Sequence, residues 1–299
     1  ADHLADGAKT VEELAEITST DAPSLYRLMR ALASVGVFRR EADGRFANTD
    51  LSDVLRSDHP ESVRAAAHMI CDHEHWAAHG NMLESVKTGA VAFDHTFGMP
   101  VFPYFAEHPE VAEVFDNAMT SFSAPISKAV VAAYDFSKAE RIADIGGGHG
   151  FLLETVLKAA PAAKGILFDQ PQVVEGARVS ERVEKVGGNF FESVPVEADI
   201  YLLKFIIHDW NDEQSETILK NIAASARSGA RVLLIESVVE EDDNQPSMSK
   251  VMDLNMLVMT GGRERTEKEY AALFEKSGFE MTRVIATGTP MQIIEAVRI

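Results

Sequence analysis

The chain has 299 residues, 46% hydrophobic and 25% charged, which is the balance of a globular protein long enough for two domains. Its formal net charge of -19 disfavours a nucleic-acid partner, and no apolar run approaches the roughly 20 residues of a membrane-crossing helix. No signal peptide is visible. The single cysteine, Cys71, excludes an intrachain disulfide, so we expect a cytoplasmic protein.

Two short helices and a hairpin are predicted at the start of the chain. Thr10 can cap a first helix, with Glu13 placed to complete a capping box. A second helix is predicted over 25–35, and an Asp43-Gly44 turn joins two short strands after it. Helix, helix and hairpin form a winged-helix pattern.

A DNA-binding role for this winged helix is disfavoured by its charge. Residues 1–50 carry six basic and nine acidic side chains, a balance of 6 − 9 = −3, without the basic footprint of a DNA reader. Packing or homodimerisation is the better interpretation. Leu25, Leu28, Leu32 and Val35 recur at helical spacing, so one face of the second helix can be buried, either in a dimer or within the chain.

The next region, residues 61 to about 135, is predicted to be mostly helical. It contains a cluster that suggests zinc, formed by Cys71, His73, His75 and His79. The metalloprotease pattern fails, because Trp76 follows His75 where glutamate is required. We therefore expect solvated or pocket-lining histidines and no metal.

Strands and helices alternate from residue 142 onwards, which predicts a parallel sheet with right-handed crossovers. A final pair of strands, separated by Gly288-Thr289-Pro290, predicts a closing antiparallel hairpin. The strands are predicted over 142–144, 166–168, 200–203, 232–235, 279–286 and 293–297.

A glycine-rich turn follows the first of these strands, in the segment from Asp144 to Gly150. A dinucleotide fingerprint starting at Gly146 would need glycine at position 151, which is Phe151. The glycines stand instead at Gly146, Gly148 and Gly150. This tighter spacing suits S-adenosylmethionine (SAM), which has no pyrophosphate to place, although an ordinary strand-to-helix turn is the alternative.

Asp169 ends the second strand, 23 positions after Gly146, where a carboxylate reaches the ribose diol of a nucleoside over the glycine turn. It could equally cap the helix that begins at Gln170-Pro171. A later strand emerges as Lys204-x-x-x-His208-Asp209-Trp210, beside the point where strand order reverses and ligands bind. On placement alone, His208 is as consistent with catalysis as with a structural role.

Five segments, in order, resemble the plant-type small-molecule O-methyltransferase family, which includes caffeate and hydroxyindole methyltransferases and bacterial antibiotic-tailoring methyltransferases. They are 144–150, 167–171, 186–191, 203–210 and 261–266. The resemblance spans the chain and implies an α/β fold, with a Rossmann-like SAM methyltransferase domain and an N-terminal winged-helix-like, mostly helical dimerisation domain. It divides the chain at 1–75 (dimerisation), 76–135 (helical linker and substrate pocket) and 136–299 (SAM binding).

The resemblance also implies roles for individual residues. His208 resembles the general base, Glu236 and Glu264 the acidic pair that orients it, and Asp209 the neighbouring acid of that motif. The implied SAM contacts are Asp144, Gly146, Gly148, Gly150, Asp169, Gln170, Asn189, Phe190, Lys204 and Ser123, although the family usually has aspartate where this chain has Asn189. The implied substrate contacts are Met119, Met256, Trp76, His75 and Asn255, with core packing as the alternative for both methionines.

The sequence thus predicts a SAM-dependent O-methyltransferase that acts on a hydroxyl of a small aromatic or polyketide-like metabolite and releases S-adenosylhomocysteine (SAH). A homodimer is expected, without nucleic-acid, membrane or metal partners. One alternative retains the fold and SAM but performs other chemistry on such a metabolite. The other is a winged-helix DNA-binding regulator.

Overall fold

The computed structural model describes residues 1–240 and 244–299, and it divides into two units. The first comprises Ala1–Asp72 and Pro109–Phe122, and the second comprises His73–His108 and Ser123–Ile299. The division at residues 75 and 135 stays a prediction. No helix of the described residues is long and apolar enough to cross a membrane.

The first unit confirms the helix–helix–hairpin pattern. The capping box between Thr10 and Glu13 is formed, and the two strands pair antiparallel around Asp43-Gly44. Leu14, Met29 and Phe46 pack in its core. The elements that lie wholly in this unit are a 3-10 helix at Asp2–Leu4, then α1 Val11–Thr18, α2 Ala22–Ser34, β1 Phe38–Arg40, β2 Phe46–Asn48, α3 Asp50–Asp53 and α4 Arg64–Ile70.

Short helices open the second unit. A small apolar core centred on Phe93 joins them to a later helix through Val258 and Met259. These helices are α5 His73–Gly80, α6 Met82–Thr88, α7 Ala92–Phe97 and α8 Val101–Glu107, followed by α9 Pro109–Ala133, which belongs to both units.

The rest of the second unit, within the described residues, is a seven-stranded sheet with helices between its strands. The strand order is β5-β4-β3-β6-β7-β9-β8. The strands are β3 Arg141–Ile145, β4 Lys164–Asp169, β5 Val183–Gly187, β6 Ile200–Lys204, β7 Arg231–Glu236, β8 Phe279–Ala286 and β9 Gln292–Arg298. The intervening helices are α10 Phe151–Ala159, α11 Pro171–Gly176, α12 Asp212–Ser225, α13 Met248–Met259 and α14 Glu267–Lys276.

The sheet topology places the predicted site at one edge. Strands β3 to β7 pair parallel, while β9 is antiparallel to both β7 and β8, which confirms the predicted closing hairpin. Strand order reverses between β3 and β6, which are neighbours with Asp144 opposite Leu202. The carboxyl ends of these two strands carry the glycine turn and the His208 turn, so both meet at the switch point where such folds bind ligands.

Candidate active site

The glycine turn after β3 has backbone angles that residues with a side chain rarely adopt. Gly146, Gly148 and Gly150 have φ angles of 67°, 57° and 80°, in the left-handed region that glycine enters without a steric penalty. The turn is also closely packed, because a Cβ on Gly146 would lie 2.5 Å from Ile206 Cδ1. Three left-handed glycines in one turn leave a stretch of backbone without side chains, which a ligand can approach closely.

Asp169, at the end of β4, fastens this turn. Its Oδ2 accepts a hydrogen bond from the Gly148 N–H at 2.8 Å, and its Oδ1 accepts one from the Gln170 N–H at 2.7 Å. The Gln170 side chain is engaged with that of Gln172. The hydrogen bond between Asp169 and Gly148 was not predicted from the sequence, and it places the carboxylate next to the glycine turn.

Asp144, which is buried, and Lys204, which is half-buried, lie on the neighbouring strands β3 and β6 and carry opposite charges. Burial raises the pKa of Asp144 to about 7, with the charge of Lys204 opposing the rise and that of Asp169 adding to it. Burial lowers the pKa of Lys204, against the charges of Asp144 and Glu236. Asp144 Oδ2 has no hydrogen-bond partner within the described residues, so a buried acceptor is left beside the glycine turn.

Of the neighbouring predicted SAM contacts Asn189 and Phe190, which the resemblance places on the adenine side, Phe190 lies at the glycine turn. Its Cε1 is 3.7 Å from the position of a Cβ on Gly146, and its ring meets those of Phe191 and Trp210 edge-on. Asn189 is exposed, and its side chain bonds the Phe191 N–H and Glu192. The aromatic wall of Phe191 and Trp210 was missed from the sequence.

His208 lies in a 3-10 helix, Ile207–Asp209, directly beyond β6. Its Nδ1 is 2.9 Å from Glu264 Oε1 and 3.6 Å from Glu236 Oε2, while its Nε2 is 3.8 Å from Asp209 Oδ1. Glu236 also accepts hydrogen bonds from the N–H groups of Ile206 and Ile207, both at 2.9 Å. The structure thus brings together all four residues predicted as catalytic.

The charges around His208 control its protonation. Burial alone lowers the pKa of His208, but the negative charges of Glu236, Asp209 and Glu264 outweigh it and raise the pKa to about 10. Burial raises the pKa of Glu236 to about 7 and that of Asp209 to about 6, in each case against the charge of His208. The cluster therefore retains protons near neutral pH, and the imidazole of His208 can accept a proton only after it has released the one that it holds.

The same atoms define the one group within the described residues that is close enough to hold a metal ion. One atom each from His208, Glu236 and Glu264 lies within 4.8 Å of the others. The 2.9 Å contact between His208 Nδ1 and Glu264 is a direct hydrogen bond, which a proton satisfies without an ion. Absence of a metal partner stays a prediction.

The predicted substrate contacts are spread over several helices. His75 on α5 and Met256 on α13 are buried, and their helices pack against each other. Trp76 is 69% exposed, so it does not share the environment of its neighbour His75. Asn255 is half-buried in α13, and Met119 is a half-buried residue of the first unit. Ser123, which is a predicted SAM contact, is buried in α9.

The raised pKa values of this site predict a pH-dependent stability. His208, Glu236, Asp209 and Asp144 hold protons in the folded state that the unfolded chain loses at lower pH. The contribution of these four groups to the free energy of unfolding should therefore fall as pH rises from about 4 to about 10, and it outweighs the opposite contribution of Lys204, whose pKa is lowered. Denaturant titrations of the ligand-free protein at several pH values measure this slope, which Glu236→Gln should flatten near pH 7. A free energy that rises between pH 5 and 9 would contradict the prediction.

Comparisons with known proteins agree with this geometry. A phenazine O-methyltransferase of Lysobacter antibioticus is 41% identical over 303 residues, covering 99% of this chain and 88% of that protein. The SAH-bound structure of a methyltransferase from calicheamicin biosynthesis matches with a TM-score of 0.89 at 39% identity, covering 100% of this chain and 90% of that one.

One relative has a different activity. The aclacinomycin 10-hydroxylase of Streptomyces purpurascens is 33% identical over 300 residues, covering 96% of this chain and 80% of that protein. Two family models match successive parts of the chain. An O-methyltransferase dimerisation domain matches residues 1–58, and an O-methyltransferase domain matches residues 78–280. The chain therefore belongs to the SAM-dependent O-methyltransferase family.

Proposed function

We propose that this protein transfers the methyl group of SAM to a hydroxyl of a small aromatic or polyketide-like secondary metabolite, with His208 as the general base. The observation that carries the proposal is the His208–Glu264 pair, joined at 2.9 Å and placed at the same switch point as the glycine turn. A base held there can act on an acceptor lying next to a methyl donor.

The glycine turn and its neighbours fit SAM. The left-handed glycines open the backbone to the nucleoside, Asp169 supplies a carboxylate for the ribose, and Phe190 offers a ring face to the adenine. Asp144 Oδ2, a buried acceptor, suits a donor group of the ligand. We assign Gln170, Asn189, Lys204 and Ser123 to the outer contacts of the same ligand. When bound, SAM supplies a sulfonium methyl already activated for transfer.

The chain's own part in the reaction is to orient the acceptor and hold a proton. Glu264 accepts a hydrogen bond from Nδ1–H of His208, so that Nε2, once it has released its own proton, receives the proton of the acceptor hydroxyl. Glu236 anchors the turn through two N–H groups, and its charge, with those of Asp209 and Glu264, stabilises the imidazolium. A phenol has a pKa of about 10, which is close to the raised pKa of His208. Transfer of the phenol proton to His208 therefore involves little change in free energy.

Methyl transfer from labelled SAM to a panel of phenols and hydroxylated polyketides tests the proposal. We assign the acceptor to contacts with Met256, His75, Trp76 and Asn255 of the second unit, and the contact with Met119 of the first unit stays a prediction from the resemblance. The hydroxylase relative supports a second candidate, in which SAM is a structural ligand and the pocket performs other chemistry on such a metabolite. Tight SAM binding without methyl transfer to any acceptor would favour that second candidate.

Replacing Asp169 should weaken SAM binding. Asp169→Ala removes the carboxylate expected at the ribose and releases the Gly148 N–H that it holds at 2.8 Å. We expect the SAM dissociation constant to rise about tenfold, which corresponds to about 1.4 kcal/mol. Titration calorimetry measures it, with Asp135→Ala as a control outside the site. An unchanged affinity would refute the ribose contact.

The protein is also expected to be a homodimer, through the first unit. A dimerisation-domain model matches residues 1–58, and α2 and its end expose Leu28 (56%) and Val35 (67%), which the chain itself does not cover. Light scattering should give twice the chain mass of 32.7 kDa at micromolar concentration. Leu28→Glu with Val35→Glu should give monomers, whereas Lys87→Glu on α6 should not. A monomeric wild-type protein would contradict the expectation.

The remaining partner and location predictions follow from charge and composition. With a net charge of -19, we propose no nucleic-acid partner, and with a single free cysteine we propose a cytoplasmic location. A gel-shift assay at low salt decides between this view and the winged-helix regulator, because a DNA-binding protein would retard a duplex there.

A further inference from the structure

Arg265 is a charged residue with 0% exposure, and its side chain donates hydrogen bonds to the turn that carries His208. Its Nη1 donates to the Ile207 carbonyl at 3.0 Å, and its Nη2 donates to the Trp210 carbonyl at 2.9 Å. These two carbonyls bracket His208. Arg265 also bonds Asp212 at 2.8 Å, which ties the turn to the first residue of α12.

The backbone of the residues before Arg265 also contacts the turn that carries His208. The Arg263 N–H donates to the His208 carbonyl at 2.9 Å, so the bonds from this segment reach the three carbonyls of Ile207, His208 and Trp210. A Cβ on Gly262 would overlap the His208 carbonyl oxygen and lie 2.7 Å from the Trp210 nitrogen. Gly262 has no left-handed φ, so glycine is required there for space alone.

Glu264 lies between these contacts in the chain. The segment 262–265 thus fixes His208 twice, through the ring by Glu264 and through the backbone by Gly262, Arg263 and Arg265. The charges that raise the pKa of His208 are those of Glu236, Asp209 and Glu264. Arg265 acts on carbonyl groups, and its own charge is balanced by Asp212.

We propose that Arg265 is a positioning residue for His208. It sets the backbone of the turn so that the imidazole Nδ1 meets Glu264 and Nε2 is presented to the acceptor, and Gly262 allows the approach that makes this possible. The proposal rests on the proposed role of His208 as base. Lysine cannot replace the guanidinium, since a single ammonium lacks the planar fork that reaches carbonyls on both sides of His208.

Arg265→Lys tests this, with Arg182→Lys as a matched control. Arg182 also donates to several backbone carbonyls, among them those of Leu157 and Pro161, but at the end of α10 and away from His208. Both variants should lose thermal stability. Arg265→Lys should lower kcat by about 10²-fold with an unchanged SAM dissociation constant, because a displacement of about 1 Å can cost that much. Arg182→Lys should retain kcat.

A second readout is independent of methyl transfer. The His208 Nδ1 proton, hydrogen-bonded to Glu264, should give a downfield proton resonance in the NMR spectrum that is absent from His208→Gln. Arg265→Lys should shift or lose this resonance, and Arg182→Lys should leave it unchanged. If the protein proves not to transfer methyl groups, this resonance still reports whether Arg265 positions the ring.

Gly262→Ala gives an independent test, with Gly176→Ala as its control because a Cβ at Gly176 meets nothing within 4 Å. A folded Gly262→Ala protein should show the same altered resonance and a similar loss of kcat. The proposal is overturned if the resonance and kcat survive in Arg265→Lys, or if Arg182→Lys loses both to the same extent. Failure of Gly262→Ala to fold leaves the decision to the Arg265 and Arg182 pair.

Discussion

His208→Ala is expected to lower turnover by about 10²–10⁴-fold, the range typical of general-base loss. The substitution removes the only atom proposed to receive the acceptor proton, and it leaves Glu236 and Glu264 buried without the cation that their charges stabilise. The SAM dissociation constant should stay near the wild-type value, because the contacts proposed for the cofactor at the glycine turn and Asp169 do not involve His208. Single-turnover methyl transfer and calorimetry separate these two effects.

The pH dependence of the variant identifies the cause of the loss. Without a base, the acceptor must ionise in solution, so the activity of His208→Ala should partly recover as the pH approaches the acceptor's pKa of about 10. His95→Ala, an exposed histidine on α7, should behave like wild type throughout. Intact turnover of His208→Ala at neutral pH would contradict the mechanism and show that proximity to SAM suffices or that the acceptor binds as an anion.

Much of the fold follows from local sequence patterns. The apolar residues Ile142 and Ala143 and the apolar runs at 200–203 and 232–235 predict buried strands, and the spaced glycines predict the turn between β3 and α10. Strand β5 was not predicted as a strand. It is an edge strand in which Glu184 and Lys185 are exposed, so it lacks the apolar run that marks a central strand.

The candidate site was less accessible to local patterns. His208 and Glu264 are 56 positions apart, and their pairing was inferred from a family resemblance and not from spacing. Arg265 lies in a charged segment whose composition alone indicates an exposed loop. In the structure it is fully buried, and its guanidinium donates hydrogen bonds to carbonyl groups of a turn that is distant in the sequence. Residues that act through backbone carbonyls leave no pattern of side-chain types, so only the three-dimensional structure reveals them.

Gly146→Val is expected to raise the SAM dissociation constant at least about 10²-fold, equivalent to about 2.8 kcal/mol. Gly146 has a φ of 67°, which a β-branched side chain strongly disfavours, and its Cβ would lie 2.5 Å from Ile206 Cδ1 and 3.7 Å from Phe190 Cε1. Valine would therefore displace Ile206, which precedes the His208 turn, and crowd Phe190, beside which the nucleoside is proposed to bind. Methyl transfer should fall in parallel with SAM occupancy.

Gly229→Val separates this loss of space from backbone strain. Gly229 has a φ of 84°, but a Cβ there meets nothing within 4 Å, so valine brings conformational strain without obstructing the site. Both variants should lose stability through backbone strain, and Gly146→Val should lose more because its side chain also meets Ile206, whereas only Gly146→Val should lose SAM affinity in calorimetry. Equal SAM affinity in the two variants would show that the ligand does not approach the backbone at Gly146. The glycine turn would then be a structural feature of the sheet edge, and the cofactor contacts proposed around it would have to be reassigned.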